Sequence, residues 1–166
     1  MSEVTVRWGL PLLWAGQAQK EVTHNEALAA LDLLVQPAVE AAGLDVPPAS
    51  PAEGQAWIVG ADPTGDWAGR AGAVAGWTAG GWRFAGPSEG MAVWVADARV
   101  EARFAGGEWR VGEITASEVR VGGVRVLGPR RGAVADPLGG QVVDAEARSA
   151  IAALLEALRA HGLISS

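Results

Sequence analysis

The clearest hydrophobic pattern along the chain has helical spacing and lies within residues 17–36, QAQKEVTHNEALAALDLLVQ. Thr23 and Glu26 have the Thr-x-x-Glu spacing of a capping box, in which each side chain bonds the backbone amide of the other residue. The segment is therefore predicted to be an amphipathic helix with a face that needs a partner. Four apolar positions form that face: Leu28, Leu31, Leu34 and Val35.

This first helix is expected to break near Gln36, because Pro37 removes an amide donor and crowds the preceding turn. Residues 38–42, AVEAA, are expected to add one last short turn that ends at Gly43. Residues 44–53 contain three prolines and are predicted to form an extended linker.

The central part of the chain is rich in β-type alternation and contains an internal repeat. Residues 51–59 match residues 87–95 at an offset of 36. Residues 77–84 match residues 104–111 at an offset of 27. The nine-residue difference between the two offsets predicts extra loop in the first unit, within residues 62–72.

Each repeat is predicted to contain a strand, a connection and a hairpin. The pairs Gly80-Gly81 and Gly106-Gly107 supply the positive φ that tight hairpin turns need. The aromatic residue before each turn and the Trp after it are expected to pair across the strands. Since neither unit can bury a face alone, the two are expected to pack together as a small antiparallel sheet or barrel. Valines around Gly122-Gly123 predict one further hairpin.

A second helix is predicted over residues 144–161, with Asp144 as N-cap and Gly162 just after the end. A terminal helix of this kind either docks on its own domain or bundles with identical helices of other subunits. We favour bundling, because a loop separates this helix from the rest of the chain. Four residues form its apolar stripe: Ile151, Leu154, Leu155 and Leu158.

These elements predict an α+β chain with an N-terminal helix, a small antiparallel β domain built from two Trp-containing repeats, a β-hairpin and a C-terminal helix. Residues 1–16, in which Val4, Val6 and Trp8 alternate with polar residues, are expected either to add a strand to a neighbour's sheet or to pack on their own core. The predicted parts are an arm and helix for attachment and oligomerisation (1–43), a linker (44–53), a β-repeat domain (54–128), a loop (129–143) and an oligomerisation helix (144–166).

Composition narrows the classes of function. The net charge of −6 argues against a general nucleic-acid binder, and the absence of Cys excludes disulfides and thiolate metal sites. Two His residues do not build a His-based metal site, so no metal is expected. The start of the chain does not resemble a signal peptide, and no apolar run is long enough to span a membrane, so synthesis in the cytoplasm is expected.

Catalytic motifs are not found. There is no Gly-x-Ser-x-Gly frame, no phosphate-binding loop ending in Lys-Ser/Thr, and no spacing that selects a pair of acids for glycoside hydrolysis. We therefore expect neither an enzyme nor a cofactor.

The eight Trp residues leave one binding site to consider. Most lie in predicted strands, where packing is the default, but Trp67 falls in a polar loop and is expected to be exposed. Sugars stack on aromatic rings while neighbouring charged groups bond their hydroxyls. Trp67, Asp66 and Arg70 are therefore a candidate glycan-binding site.

Several segments resemble an uncharacterised domain family found in fibre, spike and tail-region proteins of bacteriophages and of the gene transfer agents of alphaproteobacteria. The most specific is the run Gln-Ala-Gln-Lys-Glu-Val-Thr-His-Asn-Glu at residues 17–26. The resemblance covers residues 10 to about 112, and residues 136–164 look like the C-terminal helix of similar phage fibre proteins. Further matching segments are LPL (10–12), LD (31–32), PPASP (47–51), GDWAG (65–69) and AGW (75–77).

The resemblance implies a virion structural protein without catalytic residues. It would be a homo-oligomer at the base of a head spike, or an adaptor that links capsid or tail proteins to a host-binding fibre. The stripe of the C-terminal helix suits a trimer, whereas attachment at a capsid vertex would favour a pentamer. A glycan-binding module for host surface or capsular polysaccharide is the alternative, and a small hydrolase acting on the cell envelope is a third hypothesis. Neither nucleic acid nor membrane is expected as a partner.

Overall fold

The computed structural model describes residues 4–16, 18–140 and 144–165, and the chain forms two compact units, Met1–Glu113 and Ile114–Ser166. Gln17, in the predicted first helix, and residues 141–143, at the end of the predicted loop, lie outside the described residues. The fold is α+β with two helices and mostly antiparallel sheets, as the sequence predicts.

Helix α1 spans Lys20–Leu34, and its start differs from the prediction. Gln19 occupies the N-cap with a φ of 66° and makes no side-chain cap bond. The capping box is therefore wrong: Thr23 and Glu26 lie inside the helix, and the carboxylate of Glu26 bonds Arg83 instead of a backbone amide. Glu26 therefore forms an ion pair with the distant Arg83 instead of the local hydrogen bond that its spacing predicts.

The buried face of α1 also differs from the predicted one. Asp32 and Leu33 are the buried residues of the helix, each with 7% of its surface exposed. Leu33 faces the sheet because it packs closely against Gly76. A Cβ added to Gly76 would lie 2.8 Å from Leu33 Cδ1. Of the four predicted face residues, Leu28 is half-buried, and the other three are 50%, 37% and 45% exposed: Leu31, Leu34 and Val35.

The break after α1 is confirmed, since Gln36 has a φ of 43° and the helix ends at Leu34. The predicted last helical turn is wrong. Strands β1 (Ala38–Val39) and β2 (Ala42–Leu44) stand there instead, each pairing in parallel with a strand from a different repeat. The backbone hydrogen bonds of β1 and β2 come from parallel partner strands that are not their neighbours in a hairpin. A local sequence pattern does not reveal such pairing.

Two four-stranded sheets contain the predicted repeats. The first has the order β2-β3-β4-β5 and the second the order β1-β6-β7-β8. Both hairpins are confirmed, with Trp77 opposite Trp82 in one and Phe104 opposite Trp109 in the other. The remaining strands are β3 (Ala56–Val59), β4 (Val74–Thr78), β5 (Gly81–Ala85), β6 (Ala92–Val95), β7 (Val100–Ala105) and β8 (Glu108–Val111).

The repeats agree at the level of single hydrogen bonds. The amide of Gly54 donates to the carbonyl of Trp77 at 2.9 Å, and the amide of Gly90 donates to that of Phe104 at the same distance. The extra residues of the first unit lie in the loop of residues 60–73 between β3 and β4, as predicted. This loop contains a short 3-10 helix, Gly65–Trp67.

The two sheets share one core but present opposite faces of the repeat to it. In the second sheet, Val93 and Ala102 point into the shared core. Their equivalents in the first sheet, Trp57 and Ala75, lie in a separate cluster on its other face. The sheets are therefore stacked front to back.

The second unit contains a hairpin of β9 (Val119–Val121) and β10 (Val124–Leu127) around Gly122 and Gly123, as predicted. Helix α2 spans Ala145–Ala160, and the Asp144 carboxylate accepts from the amide of Ala147 at 2.9 Å. Both predicted ends are confirmed. The amide of Gly162 donates to Arg159, and that of Leu163 to Leu158, each at 2.9 Å, so the helix closes in a Schellman motif.

The connection before α2 is bound along the helix by arginines. Arg148 donates to the carbonyls of Pro137 and Gly139, and Arg159 donates to that of Val134 at 2.7 Å. Leu155 is buried within this unit. Neither helix is long and apolar enough to cross a bilayer, as far as the described residues go.

Candidate functional site

The predicted glycan site around Trp67 is not exposed. Trp67 has 0% of its surface exposed, and its ring packs edge-on against Trp82 at 5.1 Å between ring centroids. The loop folds back over the outer face of the first sheet, because that face carries Trp57 and no second sheet covers it. Asp66 is exposed, and the guanidinium of Arg70 lies 5.0 Å above the ring of Phe84. The three predicted residues thus offer no exposed ring for a sugar.

A cavity of about 640 Å³ lies elsewhere in the first unit, between the N-terminal arm, α1 and the β4–β5 hairpin. We define the arm as residues 4–14. Two indole rings line the cavity: Trp14, which is 68% exposed, and the half-buried Trp77. Polar residues also share the lining, among them Asn25, Glu26, Gln55, Thr78 and Arg83.

One buried carboxylate holds the turn of the arm. Asp32 accepts from the Thr5 hydroxyl at 2.6 Å, from the amide of Arg7 at 3.0 Å and from the amide of Trp8 at 2.8 Å. The Thr5 hydroxyl in turn accepts from the amide of Leu10 at 2.9 Å. These bonds supply the buried Asp32 side chain with donors and the backbone amides of the arm with an acceptor.

The arm also caps the C-terminal end of α1. The last turn of this helix contains no basic residue. The guanidinium of Arg7 donates to the carbonyl of Leu33 at 3.0 Å, and the indole N–H of Trp8 donates to that of Val35 at 2.9 Å. A cation at this end of a helix is favoured by the helix dipole and satisfies carbonyls that lack partners within the helix.

A side-chain amide fixes the far end of the arm. Asn25 Oδ1 accepts from the amide of Leu13 at 2.9 Å, and Asn25 Nδ2 donates to the carbonyl of the same residue at 3.0 Å. The adjacent Glu26 forms a two-pronged ion pair with Arg83 on β5, with distances of 2.7 and 2.6 Å. This hydrogen bond to the Arg83 guanidinium lowers the pKa of Glu26 below its usual value and raises that of Arg83.

The sequence contained a signal for this site that the apolar stripe obscured. Asn25 and Asp32 are seven residues apart, so they lie on the same face of α1. Two short polar side chains at that spacing, on the buried face of a helix, indicate a strand or arm bound by side-chain hydrogen bonds. What the sequence could not show is that residues 5–13 are the bound segment.

The predicted oligomerisation residues of α2 are divided. Leu155 is 8% exposed and contributes to the interior of its own unit. The other three remain at the surface with 44%, 65% and 38% exposure: Ile151, Leu154 and Leu158.

The lining of the cavity combines two indole rings with polar groups that already bond other parts of the protein. The Asn25 amide bonds Leu13, and the Arg83 guanidinium bonds Glu26. Within the described residues, no group of three or more His, Asp or Glu side chains is placed to hold a metal ion.

Comparison with known proteins assigns a family but no function. No curated protein matches the chain. The profile of the DUF2793 family, described as a protein of unknown function, matches residues 24–110, more than half of the sequence. That range includes Asn25, Asp32 and both repeats except their last residue, Val111. The chain therefore belongs to the DUF2793 family.

Proposed function

We propose that this chain is a structural component of a phage-like particle and acts as a homo-oligomer. It would form the base of a head spike, or an adaptor that links capsid or tail proteins to a host-binding fibre. The association with particles rests on the resemblance of residues 10–112 to fibre, spike and tail-region proteins.

The observation that carries the assembly role is the apolar surface of the second unit. Among its described residues, only Leu155 and Ile164 are buried apolar side chains. Covering this apolar surface with other copies of the chain stabilises the assembly by about 25 cal/mol for each Å² buried. The most exposed large side chains are Ile114 (92%), Leu138 (88%), Val124 (67%), Val121 (65%) and Leu154 (65%).

Light scattering tests this role directly. We expect the purified 17.0 kDa chain to have the mass of three or five copies. Replacing Ile151, Leu154 and Leu158 together by Asp should reduce the mass to that of one chain, because three carboxylates would then have to be desolvated in the bundle. Ser149→Asp is the matched control, since it adds a charge at an exposed position on the same helix away from the stripe. A wild-type chain that stays monomeric at every concentration would refute the assembly role.

The link to particles needs its own test. Antibody raised against the chain should label released particles at one structural position, and particles that lack the chain should lose a spike or fibre. Normal, fully decorated particles without it would contradict the proposal.

Glycan binding is the second candidate, and the cavity rather than the Trp67 loop favours it. Trp14 presents an exposed ring in the lining of the cavity, on which the apolar face of a sugar can stack. Titration of host capsular polysaccharide should show binding that Trp14→Ala weakens at least tenfold. Trp94→Ala is the control, because Trp94 is 49% exposed on the second sheet and does not line the cavity. Equal affinities of the two variants would exclude the cavity as the glycan site.

A further inference from the structure

We propose that the N-terminal arm, residues 4–14, binds in trans: it leaves its own helix and occupies the same site on a neighbouring copy of the chain. The inference rests on the proposed homo-oligomer and adds how neighbouring copies are joined. In the assembly, the site on α1 of one copy would be completed by Thr5, Arg7 and Leu13 of the next.

The site on the first unit holds this segment by side-chain hydrogen bonds. Asp32 binds Thr5 and two backbone amides of the arm, while Asn25 binds both backbone groups of Leu13. Because all copies are identical, the arm of a neighbour makes the same hydrogen bonds. Exchange of an identical element therefore creates an interface without a new complementary surface.

Three described residues of the connection between the arm and the helix have positive φ values. Gly16, Ala18 and Gln19 have φ values of 103°, 55° and 66°. Ala18 and Gln19 carry a Cβ, so the left-handed conformation is unfavourable for both, and no side-chain bond caps the helix at Gln19. Short strained connections of this kind favour exchange, because the strain is released when the arm extends to a neighbour.

The arm shares little apolar core with its own chain. Three of its large side chains are exposed, by 52% for Val6, 47% for Trp8 and 68% for Trp14, whereas its three leucines are half-buried. The cavity of about 640 Å³ lies beneath it. The arm is thus held mainly by hydrogen bonds that a neighbour can replace one for one, while its exposed apolar side chains become available to the assembly.

Disulfide trapping tests the exchange. The Cβ of Val6 lies 3.6 Å from the position that a Cβ on Gly54 would occupy, within the range of about 3.5–4.5 Å found in disulfides. The natural chain contains no Cys, so Val6→Cys/Gly54→Cys introduces one defined pair. After oxidation of the assembled protein, denaturing electrophoresis without reductant should show chains linked into multiples. Bands of single-chain mass alone, formed by intrachain disulfides, would overturn the proposal.

A second cysteine pair keeps the test valid if the first variant fails to fold, because Gly54 has a φ of 86° that strains any other residue. Val6→Cys/Glu53→Cys keeps Gly54, and both residues line the cavity, so a short bifunctional thiol reagent can join them. The matched control is Ala105→Cys/Glu108→Cys, which are direct partners within one hairpin and must link within a chain. Interchain products from the arm pairs but not from this control support exchange; single-chain products from both arm pairs overturn it.

The connection itself supplies a further test. Adding Ala18→Gly/Gln19→Gly to the trapped variant removes the strain, because glycine adopts positive φ without penalty. The interchain fraction should fall several-fold, and an unchanged fraction would contradict the role of strain. Light scattering separates the two proposals: oligomers with only intrachain links refute arm exchange and leave the assembly role intact, whereas a monomer refutes both.

Discussion

At the scale of single residues, the hydrogen bonds of Asn25 and Asp32 give a physical reason for two polar positions within the DUF2793 match. Each side chain binds backbone of the arm, and each needs its own geometry, a two-sided amide or a carboxylate that accepts several donors. The sequence could predict the helix that carries them, because helical periodicity is local. It could not predict their contacts, which join residues more than ten positions apart.

Replacing Asp32 with Ala should lower the free energy of unfolding by about 2 kcal/mol, since the Thr5 hydroxyl and two amides lose their acceptor. Urea unfolding followed by Trp fluorescence measures the change. Asp66→Ala, an acid on an exposed loop, is the control and should shift the midpoint little. Equal effects of the two substitutions would mean that Asp32 does not hold the arm.

The Glu26–Arg83 pair predicts a small dependence of stability on pH. The hydrogen bond from Arg83 lowers the pKa of Glu26 in the folded chain below 4.5, so its contribution is present above that value and is lost as pH falls through the folded pKa. With the Glu26 side chain 52% exposed, the contribution should be no more than about 1 kcal/mol. Unfolding of wild type and Glu26→Gln should therefore differ at neutral pH and converge as the pH falls through the folded pKa of Glu26. A difference that persists in acid would show that the ion pair is not its source.

At the scale of elements, the accuracy of the prediction follows from where the determining contacts lie. Both hairpins depend on residues within the hairpin, so the sequence predicts them. The turn at Gly106-Gly107 is as predicted, whereas the other turn lies one residue earlier, at residues 79–80, and Gly80 does not have a positive φ. Strands β1 and β2 depend on parallel partners in different repeats, and a short helical turn was predicted there instead. The loop position of Trp67 predicts exposure to solvent, because loops usually lie at the surface. Trp67 is buried instead, since it packs on the apolar face of the first sheet that lies outside the shared core.

The packing of α1 on the first sheet depends on a missing side chain. A Cβ at Gly76 would come within 2.8 Å of Leu33 Cδ1, so Gly76→Ala should push the helix outward and cost about 1–3 kcal/mol in unfolding free energy. Gly86→Ala is the control, because a Cβ there meets nothing within 4 Å and its φ is not positive. Denaturant unfolding of both variants checks this, and restoration of stability by Leu33→Ala in the Gly76 variant would confirm the clash. If Gly76→Ala unfolds like Gly86→Ala, the helix does not need this close approach.

At the scale of the whole molecule, stacked sheets occur in the first unit, where one face of each sheet lies outside the shared core. The loop containing Trp67 covers the free face of the first sheet. On the free face of the second sheet, Glu101 and Arg103 form an ion pair at the positions equivalent to Val74 and Gly76 of the buried face. A third sheet stacked there would have to desolvate these charges, so the substitution of charged for apolar residues limits the stack to two repeats.

The two units should unfold separately, and the distribution of aromatic residues makes this measurable. All eight Trp lie in the first unit, whose core clusters contain only its own residues. Fluorescence therefore reports the first unit alone, whereas far-ultraviolet circular dichroism also reports α2. We expect the fluorescence midpoint of the full chain to match that of residues 1–113 expressed alone. Circular dichroism of the full chain should show an additional helical transition that moves to higher temperature with concentration, because assembly stabilises it by mass action. A single transition that both probes share, and that ignores concentration, would show that residues 114–166 fold with the repeats and do not assemble.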